Sequence, residues 1–200
     1  MEAQLSEKTT VESSFIQVKH LVLRGSNRAI GYMLAETARN QHGIQKTPTA
    51  DPAKARAQRA YMQCNYPIHY ERMQGAAAAL GLSFEDQRYD FSYLNVAPRL
   101  PGCSTVYYPS ASTCSGHAML SRNFDFSTGT FMATPPAPGE APAAGRPYVI
   151  EVYPDEGYPS LYLSRFDLLA GCTDGINSEG LVVALNADAE SGRSFPLQPT

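Results

Sequence analysis

Gly102-Cys103-Ser-Thr-Val-Tyr-Tyr108 places a cysteine directly after a glycine, at the head of a run of strand-forming residues. A second such run, His117-Ala-Met-Leu-Ser-Arg-Asn-Phe-Asp-Phe126, follows the Ser/Pro/Gly segment from Pro109 to Gly116. The pattern predicts a β-hairpin whose return strand brings Arg122 and Asp125 back toward Cys103. Two charges of opposite sign have separate tasks beside a thiol. A guanidinium favours the thiolate, which is the nucleophilic form. A carboxylate can hold an ammonium group, and the α-amino group of Cys103 would be one if the preceding peptide bond were cut. An α-amine titrates at about 7.7–8.0, which suits it to general-base work near neutral pH.

Taken singly, Arg122 reads as a surface ion pair and Asp125 as a turn-side hydrogen bond; the hairpin is what gathers them. Asn123 falls on the opposite face of a regular strand and reads as structural. His117 is a second conceivable partner for Cys103, in the manner of a Cys–His peptidase, but it faces the turn end of the hairpin. Cys114 lies in the turn itself. Cys64, in a helical stretch, and Cys172, after Gly171 in an apolar run, read as small buried side chains.

The elements that must position this hairpin come before and after it. Phe15 to Leu23 mixes β-branched and aromatic residues and predicts a strand, followed by a turn and cap at Arg24 to Asn27. Ile30, Met33, Leu34 and Ala38 then recur at helical spacing, with Ser26 or Asn27 able to accept from the free N–H groups of the first turn. Asp51 to Gly81 is helical in composition, interrupted at Pro67 and closed at Gly81. Beyond the hairpin, Tyr148 to Tyr153, Ser160 to Ser164 and Leu181 to Leu185 predict further strands, so the second part of the chain is expected to be antiparallel and β-rich. Gly175, Asn177 and Gly180 signal a hairpin turn. The stretch 134–147 is too rich in Pro and Gly for a helix or a central strand and reads as a loop. The change of character at Gly102 divides a mostly helical segment, 1–102, from a β-rich one, 103–200.

The bulk numbers exclude several classes. A chain of 200 residues that is 43% hydrophobic and 18% charged is globular in composition. A net charge of -3 without a run of Lys or Arg leaves no footprint for nucleic acid or anionic lipid. No apolar stretch is long enough to span a bilayer, and the acidic start lacks a secretory h-region, so a cytoplasmic protein without a membrane span is expected. The four cysteines and four histidines show no zinc-ligand spacing, so free thiols and no metal are expected.

Three segments together resemble a known family. Gly102-Cys103-Ser-Thr, Leu120-Ser-Arg-Asn-Phe-Asp-Phe126 and Asp174-Gly-Ile-Asn-Ser-Glu-Gly-Leu-Val-Val-Ala-Leu-Asn186 are similar, in order and spacing, to the isopenicillin N acyltransferase family of linear amide C–N hydrolases, relatives of the choloylglycine hydrolases. Leu21 to Gly31 resembles the strand-turn-helix opening of their precursors. The resemblance implies an α+β architecture, the αββα N-terminal-nucleophile (Ntn) hydrolase fold, with a helical leader removed or nicked by self-cleavage between Gly102 and Cys103. It implies that Cys103 cuts its own peptide bond and then attacks a substrate amide. On it, Arg122 and Asp125 match the family's residues beside the nucleophile. Asn186, which by itself reads as a strand-end turn residue, matches a contributor to the oxyanion hole. The implied partners are a small-molecule amide or acyl substrate, with acyl-CoA among the acyl donors allowed and no cofactor, and leader and mature chain can remain associated. Members of the family continue well beyond the point corresponding to Thr200, so the chain is expected to be a truncated form with open sheet edges. A truncated relative that has lost catalysis and serves as a binding or assembly module is the non-enzymatic alternative.

Overall fold

The computed structural model describes residues 18–46, 48–49, 51–92, 103–124, 146–165 and 172–186. Strand β1, Lys19–Gly25, turns its alternate residues Leu21 and Leu23 inward and leaves Val22 and Arg24 exposed. Gly25 holds φ +118°, a conformation that suits glycine, and the chain enters helix α1, Asn27–His42, directly afterwards. Ser26 is the cap, its Oγ accepting from the Ala29 N–H at 3.2 Å. Ile30, Leu34 and Ala38 recur at a spacing of four and form one buried stripe. Gly43, at φ +63°, ends the helix by donating its N–H to the Arg39 carbonyl at 2.9 Å.

Helices α2, Pro52–Asn65, and α3, Pro67–Ala79, each begin with proline, whose missing N–H costs nothing in a first turn. The expected interruption at Pro67 is therefore a helix boundary, and Gly81, at φ +70°, follows the end of α3. The run Gly75-Ala-Ala-Ala-Ala79 presents almost no side chain, so α1 and α3 approach until their backbones touch. A Cβ built on Gly31 would lie 2.0 Å from the Arg72 carbonyl oxygen, and one on Gly75 1.9 Å from that of Arg28. Ala35, Met62, Met73, Ala77 and Phe91 fill the core between the helices.

Strands β2, Cys103–Tyr108, and β3, Met119–Phe124, form the expected antiparallel hairpin, with a short 3-10 turn, Ser110–Ser112, between them. Strands β4, Pro147–Pro154, β5, Ser160–Arg165, β6, Asp174–Asn177, and β7, Val182–Ala184, pair in sequence as antiparallel neighbours. β1 joins this sheet at the edge of β4, running parallel to it over seven residue pairs, so the order is β1-β4-β5-β6-β7. One core then joins both sides of position 102. Leu23, Ile30, Leu34 and Ala38 pack with Tyr148, Ile150 and Val152. His42, at the end of α1, lies 2.6 Å from the Tyr148 hydroxyl. The result is α+β, with helices on one face of a mixed sheet.

Several local expectations differ. Gly175 lies inside β6 and opposite Tyr162, whose Cβ a side chain at 175 would meet at 3.1 Å; it serves packing, not a turn. The turn is made by Asn177, whose Oδ1 accepts from Glu179 and Leu181 N–H, and by Gly180 at φ +80°. Cys64 is exposed, not buried, because it falls on the solvent side of α2, opposite the Ala55–Met62 stripe. Residues 15–17, 125–126 and 134–145, which carry parts of the expected first strand, return strand and Pro/Gly loop, lie outside the described residues. Among the described residues, no helix is long and apolar enough to cross a membrane.

Candidate active site

Cys103 opens β2 opposite Phe124, and Thr105 stands opposite Arg122. Directly paired residues of an antiparallel ladder share a face, as do residues two apart in a strand. Cys103, Thr105 and Arg122 therefore project on one side of the hairpin, and Ser104 and Asn123 on the other, exposed side. The diagonal from Arg122 to Cys103 is short enough for a long side chain to close. Arg122 Nη2 donates to Cys103 Sγ at 3.3 Å.

The guanidinium is itself held. Nη1 donates to Asp174 Oδ2 at 2.7 Å, and Nη2 also donates to the Leu185 carbonyl. The Arg122 side chain is only 7% exposed and that of Asp174 20%. A buried charge-assisted pair of this kind is shorter and stronger than a neutral hydrogen bond and fixes the fork of the arginine. Asp174 Oδ1, shielded from solvent, has no hydrogen-bond partner among the described residues. Asp174 begins β6 and Leu185 follows β7, so this end of the large sheet orients the arginine that the hairpin presents.

Asn186, one residue past Leu185, comes to the same hairpin face. Thr105 Oγ1 donates to its Oδ1 at 3.0 Å. Its Nδ2 is left as a donor without a partner among the described residues. Three of the residues singled out in the sequence thus meet on one hairpin face: Arg122 bonds Cys103 within the hairpin, and Asn186 is tied to that face through Thr105. Gly102 and Asp125 lie outside the described residues.

The carboxylate on Arg122 among the described residues is Asp174, to which the sequence reading gave no role of its own. A signal existed: Asp174 heads the Asp-Gly-Ile-Asn run, but a four-residue strand is too short to display alternation, and the glycine suggested a turn. The other thiols are less suited to chemistry. Cys114 is exposed in the hairpin turn. Cys172 is accessible, not buried as its apolar flanks suggested; loss of solvation pushes its thiol up, and the negative charge of Asp174 adds to the effect. It has a carboxylate where a nucleophilic cysteine needs a cation. His117 precedes β3 at the hairpin's turn end, while Cys103 is at the opposite end of a six-residue strand, on the order of 17 Å away at the usual rise. All four cysteines are free. No group of three or more His, Cys, Asp or Glu side chains converges as metal ligands among the described residues. No protein-family model matches the chain, and no curated protein is significantly similar to it in sequence.

Proposed function

We propose that the chain is a self-processing cysteine hydrolase or acyltransferase of the N-terminal-nucleophile type, acting on linear amide C–N bonds with Cys103 as nucleophile. The observation that carries this reading is the 3.3 Å hydrogen bond from a buried, oriented guanidinium to the sulfur of a cysteine that begins a strand. A cation so placed offsets negative charge on the sulfur as it attacks.

The first reaction is on the chain itself. Cys103 Sγ attacks the Gly102 carbonyl carbon, the C–N bond breaks with a proton passing to the Cys103 nitrogen, and a thioester forms. Water then hydrolyses the thioester, leaving a Gly102 carboxylate, a free thiol and a free α-amino group. In turnover that amine takes the thiol proton, sulfur attacks the substrate carbonyl, and the amine product leaves with the proton. The acyl group passes from sulfur to water, giving an acid, or to an amine, giving a new amide. Asn186 Nδ2 is suited to donate to the oxygen on which charge develops, an interaction worth on the order of 3 kcal/mol in such sites. Asp125 is assigned the α-ammonium. The substrate is a small amide or acyl compound, with acyl-CoA among the donor classes this chemistry admits. The reading requires an αββα Ntn sandwich; what supports it is an α+β architecture in which helices cover one face of the large sheet.

Cleavage would not release the leader. β1 pairs with β4 along its whole length and shares its core, so residues 1–102 and 103–200 are expected to separate only on denaturation. The test is mass measurement of the purified chain, native and denatured, beside Cys103→Ala. Two denatured fragments meeting at 102/103, one native mass and an uncut Cys103→Ala chain are the expected result. If the folded wild type stays a single chain, self-processing is wrong and a binding module becomes the better reading.

A further inference from the structure

A second candidate site lies on the other face of the large sheet. Asp174 and Gly175 are neighbours in β6 whose positions face opposite ways, Asp174 toward Arg122 and Gly175 toward Tyr162 and the helices. On the helix side a cavity of about 310 Å³ opens between α1, α3 and β5 to β7. Leu34, Met73, Phe91 and Val183 are among the side chains that make its wall apolar.

Arg72 is the cation on this wall. Its Nε donates to Asn27 Oδ1 at 3.1 Å, and the amide of Asn27 is spent on the Glu156 carbonyl at 2.9 Å. Among the described residues no carboxylate forms an ion pair with Arg72, and its Nη1 and Nη2 have no hydrogen-bond partner. The other titratable groups lining the cavity are neutral near pH 7. Burial, and then the charge of Arg72, push His69 down; burial pushes Tyr162 up to about 12 and raises Cys172. Among the described residues the apolar cavity is thus left with one half-buried positive charge, whose two outer nitrogens are unengaged.

The complementary ligand has one planar anion and a hydrocarbon body. A guanidinium fork matches a carboxylate with two parallel hydrogen bonds, while a phosphate would bring a second negative charge that no other described lining residue balances. At about 310 Å³ the cavity stands at the small end of ligand pockets, a size that suits a medium-chain carboxylate. We propose that the cavity binds a medium-chain alkyl monocarboxylate, its headgroup on Arg72 and its tail against Leu34, Met73 and Phe91. This site is separate from Cys103 and does not rest on the hydrolase reading.

The chain contains no tryptophan, and Leu181, 63% exposed at the cavity wall, can be replaced by one as a fluorescent reporter. Full-length Leu181→Trp is titrated with octanoate, octanol and octylammonium. Octanoate is expected to shift the emission saturably and to bind at least tenfold more tightly than octanol, with no response to octylammonium. Adding Arg72→Met should erase the preference for octanoate while the circular dichroism spectrum is retained; adding Cys103→Ala should change nothing. Equal binding of octanoate and octanol, no saturable response, or loss of binding on Cys103→Ala would each overturn the proposal. Should Arg72→Met fail to fold, the comparison of the three ligands on Leu181→Trp decides alone.

Discussion

Arg122→Ala is expected to lower the unfolding midpoint by roughly 6–12 °C and to stop scission at position 102. Removing one partner of a buried ion pair costs about 3–5 kcal/mol, because the other charge stays out of water without compensation. Asp174 keeps a fifth of its side chain exposed, which puts the loss near the lower end, about 3 kcal/mol. For a chain of this length each 1 kcal/mol moves the midpoint by about 2–4 °C. The same substitution removes the only cation that the described residues bring within hydrogen-bond distance of Cys103 Sγ. Arg122→Lys separates the two effects. A lysine restores a charge for Asp174 but cannot span Asp174, the Leu185 carbonyl and the thiol together, since it lacks the planar fork. Much of the stability should return and little of the scission. Calorimetry and a time course of denatured mass read the two separately. Undiminished scission in a folded Arg122→Ala chain would mean that the guanidinium does not serve the thiol.

The second large effect is expected at the helix crossing. Gly75→Ala puts a methyl group 1.9 Å from the Arg28 carbonyl oxygen and 2.7 Å from the Tyr32 nitrogen; Gly31→Ala puts one 2.0 Å from the Arg72 carbonyl oxygen. All these neighbours are backbone, so no rotamer change relieves the clash and α1 and α3 must move apart. Overpacking of a core costs about 1–3 kcal/mol and occasionally more; with backbone on both sides the upper figure is expected for each. Alanine is otherwise the better helix former by about 1 kcal/mol, so a propensity argument predicts the opposite sign. Denaturant titration of the two single variants decides between them. A midpoint unchanged or raised in Gly75→Ala would mean that the helices do not cross this closely. The double substitution is expected to prevent folding, since the two contacts belong to one interface.

The hairpin was legible because every local signal agreed: strand formers at Cys103 to Tyr108 and again before Phe124, with Pro, Ser and Gly between. Helix α1 was legible for the same reason, from the stripe Ile30, Leu34, Ala38 and the Ser26 cap. The parallel pairing of β1 with β4 was not. It joins residues about 130 positions apart, and nothing in a seven-residue strand records which partner or direction it will take. Cys64 and Cys172 were misplaced because apolar or helical neighbours in sequence do not say which side of an element meets solvent.

For the candidate site the division is similar. Sequence by itself predicted that a hairpin would return Arg122 and Asp125 toward a thiol, because strand formers flank a turn on both sides; the register that sets Arg122 diagonal to Cys103 came from the structure. Only the tertiary structure decided what holds the arginine. Asp174, in β6, and the Leu185 carbonyl, just past β7, lie more than fifty residues further on, and Asn186 meets Thr105 by the same closure. Alternation within a strand sets which residues share a face, whereas the choice of strands that meet across a fold depends on how the whole chain buries its apolar surface.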